Sequence, residues 1–294
     1  AMNILLTGAS GFLGRNIATR LRAAGHQVRP VCRSQGVDFA RMLEPVDWLP
    51  LLAGVDAVIN CVGIIGETTT QRFQALHITA PQALFRACVS AGVRRVVQVS
   101  ALGADAQAFS AYHRSKLAAD DCLRSLALDW FVLRPALIYG HGGTSAKLFM
   151  ALARLPLLPV IGSGEQTVQP VHIRDVVDGV LACLVTTQTR QTLDIVGAET
   201  LTFKQWLHTL RAAQGLTPCP TLRIPLRLAL AVAWLGHHFS PLLQPDNLRM
   251  LQAGYQGDGQ ALSTLLGRSP LAFAPALLQQ DASTAQTGST PCSI

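Results

Sequence analysis

At 294 residues, 49% of them apolar and 14% charged, the chain is long enough to bury a large core and too apolar to be a disordered polymer. Its net charge of +7 comes mostly from scattered arginines, with no basic run interleaved with aromatics, which argues against a nucleic-acid groove and for a solvated surface favouring phosphorylated ligands. No apolar run reaches the ~18–20 residues that span a bilayer, and Cys32, Cys61, Cys88, Cys122, Cys183, Cys219 and Cys292 show neither zinc-ligand spacing nor a paired framework, so they read as reduced core thiols of a cytoplasmic protein without a metal site.

Ala1 ahead of Met2 reads as an added residue, and a core-type strand follows with no secretory leader. That strand, Ile4-Leu5-Leu6, stops at Thr7 and gives way to glycines at 8, 11 and 14 before a helical pattern over 15–24. A strand feeding a glycine loop that opens a helix is the geometry for holding a pyrophosphate: loop amides point at the anion and the helix dipole adds to them. Gly8, Ser10, Gly11, Phe12, Leu13 and Gly14 are the candidate cradle. The second strand, 27–32, ends in Cys32-Arg33-Ser34-Gln35, without the carboxylate that would select NAD by bonding the adenosine ribose. Arg33 can stack on adenine and pair with a 2′-phosphate, and Ser34 can donate another hydrogen bond, so NADP(H) is expected, with NAD(H) the alternative.

Further strands are predicted over 56–62, 95–99, 130–133 and 193–196, alternating with helices over 72–91 (stopped by Gly92), 113–128 and 173–186. This rhythm predicts an α/β fold, a Rossmann-type doubly wound parallel sheet covering residues 1–200. From about residue 200 the pattern turns helical, over 202–213, 224–235 and 246–267, which suggests a small, mainly helical C-terminal subdomain (201–280) on the substrate side of the cleft. The apolar stretch 224–235 reads as a buried amphipathic helix, with a membrane-surface or protein-complex contact as the alternative. Residues 281–294 are Ser/Thr-rich and read as a mobile tail.

Tyr112-His113-Arg114-Ser115-Lys116 opens the helix predicted at 113–128, and residues four apart share one helical face. An ammonium near a phenol stabilises the phenolate and is expected to lower the Tyr112 pKa towards the range of a general acid or base.

With TGASGFLG (7–14), Asn60-Cys61 and Gly63 after a buried strand, VSALGA (99–104), YHRSK, LRPALIYG (133–140) and VHIRDVVDGV (171–180) in order, the chain resembles the short-chain dehydrogenase/reductase superfamily, in its extended or atypical branch. The likeness covers residues 2–200 well and the rest loosely, and LLGRSPLAF (265–273) fits the group around the NADPH-carrying accessory subunit of respiratory complex I. The resemblance implies that Tyr112 exchanges a proton with a substrate carbonyl or alcohol and that Lys116 binds the nicotinamide ribose and tunes Tyr112. It implies that Pro135, Ala136, Leu137 and Ile138 wall the nicotinamide, that Cys61, Val62 and Gly63 pass beside the adenosine ribose with Val99 near the same cleft, and that Asp38-Phe39 read the adenine ring. Arg134 and Asp175 are expected to hold the fold or shape the cleft. Relatives carry a carbonyl-polarising Ser or Thr just past the strand ending at Val99; Ser100 is the candidate here, although Ala101 or Leu102 aligns with the acting position. His77 stands where relatives place an Asn, and reads as a satisfied helix histidine.

These observations predict hydride transfer between a nicotinamide and a carbonyl or alcohol on an unidentified small molecule, by a monomer or homodimer that binds no nucleic acid. The alternatives are a non-catalytic NADP(H)-binding sensor or assembly factor, which the uncertain serine and the 224–235 helix favour, and a sugar-nucleotide epimerase or dehydratase.

Overall fold

The computed structural model describes residues 1–236 and 241–282. Its first half runs β1 (Asn3–Thr7), α1 (Phe12–Ala23), β2 (Gln27–Val31), α2 (Pro45–Leu52), β3 (Ala57–Asn60), α3 (Ala80–Ala91), β4 (Arg95–Val99), α4 (Ala111–Ser125) and β5 (Asp129–Pro135). There follow β6 (Ile138–Tyr139), α5 (Thr144–Ala153), β7 (Leu158–Ile161), β8 (Thr167–Val168), β9 (Val171–His172), α6 (Ile173–Val185) and β10 (Gln191–Ile195). Last come β11 (Leu201–Thr202), α7 (Phe203–Ala213), β12 (Thr221–Ile224), α8 (Leu226–Gly236), α9 (Pro245–Ala253) and α10 (Gln260–Leu266).

Six strands pair in the order β10-β5-β4-β3-β1-β2, all parallel. The chain leaves β1 for β2 on one side and returns to β3 on the other, so the connections after β1 and β3 diverge and open a crevice at the carboxyl ends of the strands. The alternation along each strand explains why the sheet is covered twice. Ile4, Leu6, Ile59, Val97 and Phe131 face α1 and α6, while Leu5, Val58, Val96 and Val132 face the side covered by Trp48, Leu84, Phe85 and Leu123.

The helix predicted over 72–91 begins as a π-helical segment, Gln74–Thr79, and continues as α3; Gly92 ends it in a left-handed conformation. The stretch 224–235 is divided: Ile224 closes β12, which pairs with β7, and α8 starts at Leu226. The stretch 246–267 is likewise broken into α9 and α10. A third core gathers Tyr139, Phe149, Val160, Phe203, Trp206 and Leu278, and so draws on residues from both sides of position 200. Alongside its helices it carries the two-stranded pairs β7–β12 and β8–β11. In the opposite sense, Leu262 of α10 returns to the first core.

Asp175 and Arg134 both sit in ion pairs that hold the fold, the first of the two roles expected of them. Arg268 bridges Asp175 and Asp178, both at 2.7 Å, and Arg20 joins Asp178 at 2.8 Å, so the segment after α10 is pinned to α6 and α1. Arg134 pairs with Asp194 at 2.7 Å across β5 and β10. Of the expected tail, residues 283–294, including Cys292, lie outside the described residues. Ala282 is buried, its N–H donating to Asn16 and its carbonyl accepting from Arg20.

Candidate functional site

The crevice between the β1 and β3 loops forms a cavity of about 250 Å³. Gly8, Ser10 and Gly11 line one wall, Arg33, Asp38 and Phe39 the end near β2, and Cys61, Val62 and Gly63 the wall after β3. Nine predicted positions therefore converge on one space. Gly8 sits at φ +67°, and a Cβ there would lie 2.9 Å from the Cys61 carbonyl; a Cβ on Gly14 would lie 2.1 Å from the Gly8 oxygen. The two loops thus approach as closely as backbone allows, with Gly11 at the amino end of α1.

Phe12, Leu13 and Gly14 belong to α1 and shape the loop from behind. Phe12 packs near Gly142 and Gly143, and Leu13 against the first core. Arg15 folds back to donate to the Ser10 carbonyl at 2.9 Å, which fixes the loop. Ser34 lies outside the cavity wall, its hydroxyl 3.0 Å from the Cys32 sulfur. Asp38 accepts from the Ala40 amide and pairs with Arg41, while Phe39 meets Trp48 edge-on. Val31, Cys32, Val37, Ala40, Ile64, Thr70, Gln71 and Leu76 also line the cavity and were not singled out. Most are apolar residues whose role is set by adjacency to the predicted ones. Thr70 and Gln71 add polar side chains to the lining that no sequence motif marked.

Deeper along the carboxyl edge, Lys116 donates from Nζ to the carbonyls of Val62 and Val99, each at 3.1 Å, and bridges the ends of β3 and β4. Burial lowers its pKa to about 8 against the opposing pull of Asp120. Tyr112 sits one turn earlier on α4, its ring within 6.1 Å of Phe73, 5.6 Å of His77 and 5.3 Å of His113. Here the sequence expectation is corrected: the Tyr112 phenol is pushed up to about 12, by burial first and by Asp120 second, not lowered.

The Ser100 hydroxyl donates to Asp120 inside a buried polar ladder in which Thr7 donates to Asn60, Asn60 to Gln98 (2.6 Å) and Gln98 to Asp120 (3.3 Å). Parallel register puts Thr7, Asn60 and Gln98 side by side, so each polar group finds a partner in a neighbouring strand. Among the described residues no hydrogen bond joins Ser100 to Tyr112; the Ser100 hydroxyl is taken by Asp120. Pro135 to Ile138 run from the last residue of β5 to the first of β6, and the Pro135 carbonyl accepts from the Leu102 amide and the Leu137 carbonyl from the Val171 amide.

His77 is satisfied, as expected. Ser115 donates to the Tyr112 carbonyl, so the His77 Nδ1–H donates to Ser115 (2.8 Å) and Nε2 accepts the Ile64 amide (3.0 Å). The ring thus ties the loop after β3 to the helix of Tyr112. Burial and Lys116 hold its pKa down to about 2 from 6.5. A depressed histidine contributes stability that is present above pH 6.5 and lost as pH falls towards the folded value. Between pH 7 and pH 5, urea unfolding of His77→Gln should therefore lose about 2 kcal/mol less than wild type. Equal losses would place the titration elsewhere.

Among the described residues no cluster of ligating side chains could hold a metal, and no helix is long and apolar enough to cross a membrane. A ceramide reductase of Caulobacter vibrioides is 33% identical over 184 residues, which covers 58% of this chain and 57% of that protein. The mitochondrial NADH dehydrogenase (ubiquinone) 1 alpha subcomplex subunit 9 of Mus musculus is 27% identical over 254 residues, 79% of this chain and 65% of that one. The chain thus spans less than two thirds of the length of these curated relatives. Among solved structures, MoeE5 in complex with UDP-glucose and NAD aligns over 94% of this chain and 96% of its own, with a TM-score of 0.70 at 21% identity. UDP-glucuronic acid 4-epimerase from Bacillus cereus, in complex with NAD, covers 96% and 97%, with a TM-score of 0.71 at 19% identity; both share the fold. Residues 4–196 match the model of the NAD dependent epimerase/dehydratase family, and the chain belongs to that family.

Proposed function

We propose that this protein binds NADP(H) in the crevice between the β1 and β3 loops and catalyses hydride transfer between the nicotinamide and a carbonyl or alcohol carbon, with Tyr112 giving or taking the proton. The observation that carries the reading is the pairing of Tyr112 and Lys116 one turn apart on α4, with the Lys116 ammonium held on the Val62 and Val99 carbonyls beside the glycine cradle. The crevice suits a dinucleotide: glycines stand where a Cβ would close it, and loop amides and the amino end of α1 favour a pyrophosphate. When bound, the nicotinamide supplies or accepts the hydride. Lys116 has three N–H donors and spends two on carbonyls, which leaves one for a ribose hydroxyl. Tyr112, protonated at neutral pH, is set to donate to the oxygen of a carbonyl being reduced. The likeness to a ceramide reductase supports reductive chemistry.

For the cofactor, the end of β2 offers the Arg33 guanidinium and no carboxylate, while Asp38 is engaged by Ala40 and Arg41. Arg33→Ala should weaken NADPH binding by about 10-fold more than NADH binding, the value of a charge-assisted phosphate contact over the adenine stacking that both cofactors share. Titration with both cofactors checks this, and equal losses would overturn the NADP(H) assignment.

A second reading, binding without turnover, is favoured by the engagement of Ser100 with Asp120 and by the likeness to a complex I subunit. NADPH oxidation against aldehydes, ketones and quinones separates the two: tight NADPH binding with no turnover on any of them would support the second. Sugar-nucleotide epimerisation, which the family name includes, would instead show as interconversion of UDP-sugars without net NADPH consumption.

A further inference from the structure

We propose that the outward face of α8 is a docking surface for an anionic lipid bilayer. This goes beyond the reaction above and does not rest on it. In α8, Leu228, Ala231, Val232 and Leu235 are exposed at the i, i+3, i+4, i+7 spacing of a single stripe, while Ala229 and Ala233 mark the buried side. The large residues of the stripe are 56% (Leu228), 58% (Val232) and 65% (Leu235) exposed, and Trp234 beside them is 66% exposed. An amphipathic helix normally turns its apolar stripe to the core; here the alanines face inward and the large side chains face water.

Two observations select the occupant. First, Arg223 at the end of β12 and Arg227 in the first turn of α8 are exposed at one end of the stripe, on a chain of net charge +7, which complements an anionic surface. Two copies meeting through this face would instead bring four guanidinium groups together. Second, an 11-residue helix is roughly 16 Å long, too short to span a bilayer and suited to lie in its interface, where a tryptophan edge is favoured. The surface is peripheral, and α9 links it to the candidate active site. α8 packs beside α9, whose Met250 accepts from Ser110 at 3.1 Å and whose Asp246 accepts from the Ala111 amide at 3.4 Å, at the start of the helix that carries Tyr112.

The test is flotation of the full chain with vesicles of equal parts phosphatidylglycerol and phosphatidylcholine, against vesicles of phosphatidylcholine alone. Wild type should float with the anionic vesicles, and added salt should release it. Arg223→Gln with Arg227→Gln should lower the partition coefficient by about 30-fold. Leu228→Ser with Val232→Ser and Leu235→Ser should lower it by roughly 10-fold or more. Val46→Ser, at an exposed apolar position in α2, should leave it unchanged. Circular dichroism and thermal midpoints confirm folding, and the single change Leu235→Ser serves if the triple variant is unstable. Failure of wild type to float with anionic vesicles, or flotation that ignores these changes, overturns the proposal. A dimer in ultracentrifugation that the serine variants dissociate, with no vesicle binding, overturns it too and assigns the face to a second copy.

Discussion

Tyr112→Phe should reduce turnover by about 10²–10⁴-fold, the usual contribution of a placed general acid, while NADPH affinity stays within a factor of ~2 of wild type. The substitution removes one oxygen from a ring whose packing against Phe73, His77 and His113 involves only its faces and edges. The hydroxyl has no hydrogen-bond partner among the described residues, so its loss leaves no buried group unsatisfied and should change stability little. That separation makes the variant informative: a fall in kcat with cofactor binding and thermal midpoint intact assigns the proton to Tyr112. Burial and Asp120 keep the phenol protonated up to about pH 12, so it is a donor across the whole neutral range. Turnover that survives in the variant would remove Tyr112 from the mechanism. Absence of turnover in both proteins would favour the binding-only reading.

The sheet was legible because its strands are buried on both faces and read as near-continuous apolar runs, as in Ile4-Leu5-Leu6 or Ala57-Val58-Ile59. The cradle was legible for a different reason: only glycine fits where the Cys61 carbonyl lies 2.9 Å from the Cβ position of Gly8, so that local constraint is written in the residue type. α2 went unread because Pro45 opens it and Pro50 interrupts its pattern; the structure stabilises it through a capping box between Glu44 and Asp47 and through burial of Trp48. The short strands β6 to β9, β11 and β12 also went unread, since pairs of two to four residues depend on partners distant in sequence. The same limit applies to Ser100. Its position past β4 suggested the active site, yet whether its hydroxyl faces the crevice or Asp120 is decided by a residue twenty positions later. The π-helical segment that brings His77 onto the Ile64 amide has no sequence pattern separable from an ordinary helix.

Gly14→Ala should lose about 2 kcal/mol or more of stability and weaken NADPH binding on the order of 100-fold. In most helices this exchange gains up to ~1 kcal/mol, because alanine is the better helix former. Here the sign reverses, since the new methyl would stand 2.1 Å from the Gly8 oxygen and 2.8 Å from the Ala9 Cα, both backbone atoms. The loop has little room to retreat: the Gly8 oxygen accepts from the Gly11 amide at 3.0 Å, and Gly8 itself is pressed against Cys61. Either α1 moves off the loop or the loop moves into the crevice, and each displaces the amides that face a pyrophosphate. A loss of two charge-assisted hydrogen bonds of ~1.5 kcal/mol each accounts for the fall in affinity. Gly179→Ala in α6 is the matched control. Its Cβ would meet Leu262 at 3.4 Å, an ordinary contact, so stability should hold or rise and NADPH binding should not change. Urea unfolding and NADPH titration of the two variants decide the point. A Gly14→Ala protein that binds NADPH as wild type does would show that the loop after β1 does not hold the cofactor, and the assignment of the crevice would fall with it.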